Sequence, residues 1–147
     1  MNDSLDGLYQ QVILDHARLR SGYGSNPHPD AERFARNPSC GDEITLQLTV
    51  EPGGDRIASV VWSGSGCSIS LASASILSQL SVGLTVVELQ TTIDAFRAMM
   101  HSRGATDPDE RTLGDAVVLQ GVSKYVMRVK CAMLAWVALE GCLEDLT

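Results

Sequence analysis

Basic residues are scarce in this chain. Eleven lysines and arginines stand against eighteen aspartates and glutamates, leaving a net charge of -7. A nucleic-acid binder normally carries a basic face, so the balance argues against that class and for small-molecule or protein partners. No apolar run approaches the length of a membrane span, so no membrane partner is expected. Met1 to Asp6 shows neither a basic nor an apolar leader, so no secretory signal is read there and a cytoplasmic location is expected. No two of the four cysteines stand at C-x-x-C spacing, and a reducing cytosol makes a disulfide framework unexpected. The serines from Ser63 to Ser81 form no G-x-S-x-G elbow, and Gly64-Ser65-Gly66 lacks the Lys-Ser/Thr of a phosphate loop. They read as small helix-packing residues. Internal repeats and low-complexity segments are absent too, and residues 1–147 are expected to form a single domain.

What is present has a clear order. Leu5, Leu8, Tyr9, Val12, His16 and Leu19 mark an amphipathic helix ending near Gly22 or Gly24. Residues 25–39, with Pro27, Pro29 and Pro38 and little periodicity, read as a long irregular loop. Residues 44–50 alternate apolar and polar without a fault, as a half-buried antiparallel strand does. A turn at 51–55 leads to a returning strand over 57–63. A Gly-rich turn at 63–68 then opens a helix that runs to Gly83. Thr85 and Glu88 form a capping box for the next helix, with Leu89, Ile93, Phe96 and Met100 as its stripe. A polar loop over 105–111 and a short helical piece near 113–119 precede a last helix over 122–143. That helix is apolar on two faces and therefore well buried. A hairpin followed by helices predicts an α+β fold, a small antiparallel sheet with helices packed on one face.

The residues with chemical potential surround one motif, Asn37-Pro38-Ser39-Cys40-Gly41-Asp42. In extended backbone Cys40 and Asp42 point the same way, with Cα atoms roughly 6–7 Å apart. Both share parity with Ile44, Leu46, Leu48 and Val50, so they extend the core-facing row of the strand. Cys67 opens a helix, where a thiolate is favoured by the helix dipole. Cys131 stands near Lys124, Arg128 and Lys130, and the chain has only those two lysines. Such cations favour a thiolate. Cys142 lies about 16 Å further along the helix, so it cannot share a metal with Cys131 and reads as a packing residue. His16, His28 and His101 have no ligand partner at convincing spacing. From cysteine arithmetic alone, scattered buried thiols stand as well as a metal site. A set of Cys40, Asp42, Cys67 and Cys131 would be soft and tetrahedral, suited to zinc or an iron–sulfur cluster.

Several segments together resemble a known family. The stretch from Leu8 to His16, Asn37-Pro38-Ser39-Cys40-Gly41-Asp42, Gly64-Ser65-Gly66-Cys67-Ser68-Ile69-Ser70 and Arg128-Val129-Lys130-Cys131-Ala132 resemble the IscU/NifU-type iron–sulfur cluster assembly proteins, most closely the SufU branch. Lys130 stands before the third cysteine where IscU-type scaffolds carry histidine, and the long span from Cys67 to Cys131 is similar to the insertion of SufU proteins. The residues after His16 lack the Asn-Pro usual there. The resemblance implies a zinc-dependent sulfurtransferase that accepts persulfide sulfur from a SufS-type cysteine desulfurase and works with other Suf assembly proteins. It implies Zn²⁺ held by Cys40, Asp42, Cys67 and Cys131, with Cys40 as the catalytic sulfur acceptor. The alternative it leaves is a scaffold that assembles a [2Fe–2S] cluster on the same residues. A third reading, from the residues themselves, is a zinc-stabilised interaction module without transfer chemistry.

Overall fold

The alternating run at 44–50 becomes the middle strand of the sheet. The structure is a computed structural model that describes residues 3–105 and 107–146, with the side chains of 3–6 left aside. In it β1 (Ala31–Asn37), β2 (Asp42–Val50) and β3 (Ile57–Ser65) form a three-stranded antiparallel sheet in sequence order. Ile44, Leu46 and Leu48 are at most 1% exposed, because the two-residue period sends all three to the face that the helices cover. β3 runs two residues beyond the expected end at Ser63, so the Gly-rich turn is shorter than the sequence implied.

The first strand is the main departure from expectation. Half of the loop expected at 25–39 is β1, paired with β2 from Ala31 opposite Leu48 to Asn37 opposite Asp42. Only its two ends are buried, and Phe34 stands exposed. A strand on the edge of the sheet needs no alternation, and its charges discourage pairing with other chains. Arg33 instead reaches across to Asp145 with bonds of 2.8 and 2.9 Å.

Among the described residues there are also five helices and a 3₁₀ segment: α1 (Asp3–Leu19), α2 (Ser68–Ser81), α3 (Val86–Met100), α4 (Glu110–Leu113), the segment Gly114–Lys124 and α5 (Val126–Asp145). α5 crosses β1 and β2, while α2 lies beside it against β3 and α1. The short helix expected near 113–119 is thus α4 plus the 3₁₀ segment, and α5 begins later than expected. Both halves of the capping box form, with the Glu88 amide donating to Thr85 Oγ1 at 3.0 Å and the Thr85 amide to Glu88 Oε1 at 2.9 Å. Such a cap contributes about 1 kcal/mol.

The serines of α2 do pack. Ser73 donates to the Ala132 carbonyl at 2.6 Å and accepts from Trp136 Nε1 at 2.8 Å, while Trp136 stacks on Phe96 with centroids 3.9 Å apart. These hydroxyls let α2 and α5 approach closely without stranding a polar atom. His16 is buried between Ser75 Oγ (2.9 Å) and Asp115 Oδ2 (3.2 Å), a helix-face residue as read.

One glycine fixes how the sheet meets the site. Gly64 has φ +143°, and a Cβ there would lie 2.0 Å from the Glu43 carbonyl oxygen, one residue from Asp42. Gly64→Ala is expected to cost about 1–3 kcal/mol in backbone strain, before any shift that relieves the clash. Urea denaturation would show this as a lowered midpoint; an unchanged midpoint would mean the two strands are not held this tightly.

Candidate metal centre

The turn between β1 and β2 is built by Asn37. Its Oδ1 accepts the Ser39 amide at 3.1 Å, and the Gly41 amide returns to the Asn37 carbonyl at 2.8 Å. Gly41 takes φ +73° to close the turn, a conformation that glycine adopts without a Cβ penalty. This leaves the Asn37 Nδ2 group free to donate to Cys40 Sγ at 2.8 Å and to stand 3.9 Å from Cys131 Sγ. The sequence reading had no role for Asn37. The signal was there in an Asn-Pro pair at the mouth of a turn, where asparagine caps its own backbone.

Asp42 opens β2 on the core-facing row, as its parity with Ile44 predicts, and is 2% exposed. Its Oδ1 accepts the Cys67 amide at 3.2 Å, and its Oδ2 accepts the Ser70 hydroxyl with Cys67 Sγ 3.8 Å away. Burial pushes this carboxyl up, but the Ser70 hydroxyl, the Cys131 thiol and the Cys67 donors outweigh it and hold it below the usual carboxylate range. Asp42 is therefore an anion across the neutral range.

Cys131 comes from the first turns of α5 and is 1% exposed. Its Sγ lies 3.2 Å from Cys40 Sγ. The expected help from nearby cations is not found. Arg128 and Lys130 are exposed at the surface, and Lys124 sits on the 3₁₀ segment against Gly104, not on the same helix. Burial instead pushes the Cys131 thiol well up, and the contacts with Cys40, Asp42 and Cys67 push the same way. Cys67 is half-buried and ends the short turn just before α2.

Among the described residues, Cys40, Asp42 and Cys131 are the group whose ligand atoms all lie within 4.8 Å of one another. Cys67 joins them through its contact with Asp42. In a tetrahedral zinc site with Zn–S near 2.3 Å, neighbouring ligand atoms stand roughly 3.3–3.8 Å apart. The Cys67–Asp42 separation of 3.8 Å falls at the top of that spacing, and the Cys40–Cys131 separation of 3.2 Å falls just short of it, so a small outward shift of the Cys40 turn would admit the ion. Three thiols and one carboxylate also suit zinc or iron better than magnesium or calcium. No histidine enters the group. Cys142 stays apart, fully buried with its Sγ 3.7 Å from the Leu46 carbonyl, and burial pushes its thiol up to about 11.

Two cavities flank α5 beside this group. One of about 660 Å³ is lined by Tyr9, Ile13, Ile69, Lys124, Tyr125 and Arg128. The other, about 410 Å³, borders the Cys40 turn and is lined in part by Arg36, Pro38, Ser39, Lys130 and Val137. Tyr125, Val126 and Met127, at the start of α5, are exposed.

A small antiparallel sheet covered by helices, with thiols and a carboxylate gathered at the end of its middle strand, defines a class of small α+β proteins whose donor set could hold a metal ion. Residues 8–132 match the family described as NifU-like N terminal domain, and the chain belongs to that family of iron–sulfur cluster assembly proteins. It is similar to the "Zinc-dependent sulfurtransferase SufU" of Bacillus subtilis, with 40% identity over 95% of this chain and 91% of that protein. It is also similar to the "Iron-sulfur cluster assembly scaffold protein IscU" of Streptococcus pyogenes, with 35% identity over 95% of this chain and 85% of that one. Among solved structures, a putative scaffold protein for the SUF system from Fervidobacterium islandicum superposes with a TM-score of 0.83 at 33% identity, covering 90% of this chain and 94% of that one. The N-terminal part of a NifU-like protein from Brucella abortus shares the fold, with a TM-score of 0.85 at 23% identity. The expected α+β fold is the fold observed. No helix among the described residues is long and apolar enough to cross a membrane.

Proposed function

We propose that this protein is a zinc-dependent sulfurtransferase of the cytoplasm. It accepts persulfide sulfur from a SufS-type cysteine desulfurase and delivers it for iron–sulfur cluster assembly with other Suf proteins. The observation that carries this reading is the unequal burial of the four residues. Asp42 and Cys131 are buried and Cys67 is half-buried on the helix side, while Cys40 is exposed on a turn. Asp42, Cys67 and Cys131 are the fixed metal ligands, and Cys40 is the ligand that leaves and reacts. Zinc, when bound, keeps its thiol ligands deprotonated and damps their nucleophilicity.

In the transfer, the released Cys40 thiolate attacks the terminal sulfur of the desulfurase's cysteine persulfide. The S–S bond breaks and the desulfurase cysteine leaves as a thiolate, so no outside oxidant or reductant is needed. Asn37 Nδ2 donates to Cys40 Sγ and steadies the anion through a charge-assisted bond. The exposed side chains of Tyr125, Val126 and Met127, at the start of the helix that carries Cys131, offer the approaching protein an apolar surface.

The likeness to the Bacillus subtilis sulfurtransferase and the lysine at position 130 support zinc. The likeness to IscU relatives supports a second reading, a scaffold carrying a [2Fe–2S] cluster on the same residues. Metal analysis of protein purified without added iron separates them. Tightly held zinc, no visible chromophore and a stimulated desulfurase turnover are the expected results. A coloured protein holding iron and sulfide, with no stimulation, would establish the scaffold reading instead.

A further inference from the structure

The two sulfurs in closest contact lie one above the other. Cys40 Sγ is exposed, Cys131 Sγ is buried beneath it, and they stand 3.2 Å apart. Asn37 Nδ2 lies against both, at 2.8 Å and 3.9 Å. A sulfur delivered to Cys40 arrives from solvent, on the far side of Cys40 Sγ from Cys131. Cys131 Sγ, 3.2 Å away, then stands on the buried side of Cys40 Sγ, opposite the delivered sulfur, the side from which thiol–disulfide exchange expels it. Cys67 is placed differently, facing Asp42 and Ser70.

We propose that Cys131 resolves the persulfide on Cys40 when no metal holds it, releasing the carried sulfur as sulfide. The proposal rests on the reading of Cys40 as the acceptor and adds a second activity to the same site. The Cys131 sulfur attacks Cys40 Sγ and forms a Cys40–Cys131 disulfide. The bond from Cys40 Sγ to the terminal sulfur breaks, and that sulfur departs with the bonding pair. The Asp42 carboxylate, which accepts from the Cys131 thiol, takes its proton as the Cys131 sulfur attacks. The proton ends on the departing sulfur, so one persulfide and one thiol give one disulfide and one hydrogen sulfide. The terminal sulfur is reduced, the Cys131 sulfur is oxidised and the Cys40 sulfur keeps its level, so the step balances without an external oxidant. A dithiol reductant then restores both thiols. Metal bound to Cys131 occupies the lone pair that attacks, so a loaded site keeps its sulfur as persulfide and an empty site discharges it.

The test uses the whole chain, stripped of metal by chelation and kept anaerobic. Cys40 is loaded with inorganic polysulfide, the excess is removed, and sulfide release is followed with the intact mass. The expected result is one sulfide released per sulfur carried. The mass should fall from that of the persulfide to two hydrogens below the reduced protein, and peptide mapping should link Cys40 to Cys131. Cys131→Ser should slow the release at least roughly tenfold, while Cys142→Ala should match the parent. One equivalent of zinc, added to the freshly loaded protein, should arrest the release and preserve the remaining persulfide mass. Sulfur that maps to Cys40 and stays there in the stripped protein overturns this inference and leaves the acceptor reading intact. So does release that is equally fast in Cys131→Ser. Sulfur that maps to another cysteine overturns both. Should Cys131→Ser fail to fold, the mapped linkage in the parent protein decides the matter.

Discussion

A Cys40→Ser variant is expected to accept no sulfur from a desulfurase while keeping its fold. Cys40 is exposed on a turn, and its contacts with buried groups are those of its sulfur with Asn37 Nδ2 and Cys131 Sγ. Its replacement therefore falls among surface changes, which usually alter stability by less than about 0.5 kcal/mol. Serine is nearly isosteric with cysteine and can still accept the bond from Asn37 Nδ2. Its hydroxyl is a far weaker nucleophile at neutral pH than a thiolate. The measurement is mass spectrometry of the variant after incubation with desulfurase and cysteine, alongside thermal unfolding. A persulfide that still forms to the parent's extent would remove Cys40 from the acceptor's role. A collapsed melting temperature would instead mean that the turn supports the fold more than its exposure suggests.

Zinc affinity is expected to rise by at least about tenfold per pH unit between about pH 6 and 8. The sign follows from two neighbouring groups. Burial holds the Cys131 thiol above its ordinary value, so in the metal-free protein it keeps its proton throughout the neutral range. A metal must expel that proton, and each tenfold fall in proton concentration then strengthens binding tenfold. Asp42 is held below the usual carboxylate range, is already ionised, and adds nothing to the slope. Competition against a chromophoric chelator at three pH values measures it. A flat profile would show that Cys131 is not a ligand.

Much of the site was readable before the fold was known, because it rests on short-range geometry. Strand parity from Ile44 back to Asp42 placed that carboxylate on the covered face, and there it lies. The distance between Cys131 and Cys142 along one helix separated them correctly. The losses have a common cause. β1 carries Arg33, Phe34 and Arg36 where an internal strand would alternate, so its pairing with β2 left no periodic mark. Lys130 is next to Cys131 in sequence, yet a helix turns successive side chains to different sides, and Lys124 belongs to the 3₁₀ segment rather than to α5. Arg128 and Lys130 face outward while Cys131 faces in. Asn37 went unnoticed because its contacts run to sulfur atoms that only the folded turn and α5 bring together.

Cys142 gives this protein a built-in gauge of its own opening. It shares a helix with Cys131 but touches no reacting group, and its sulfur is closed off between α5 and the Leu46 carbonyl. In the metal-loaded protein a thiol reagent should therefore mark Cys40 as the metal leaves and Cys142 only when α5 lifts from the sheet. Counting alkylated cysteines over time would then date metal loss and global unfolding separately, in one sample, with no label added.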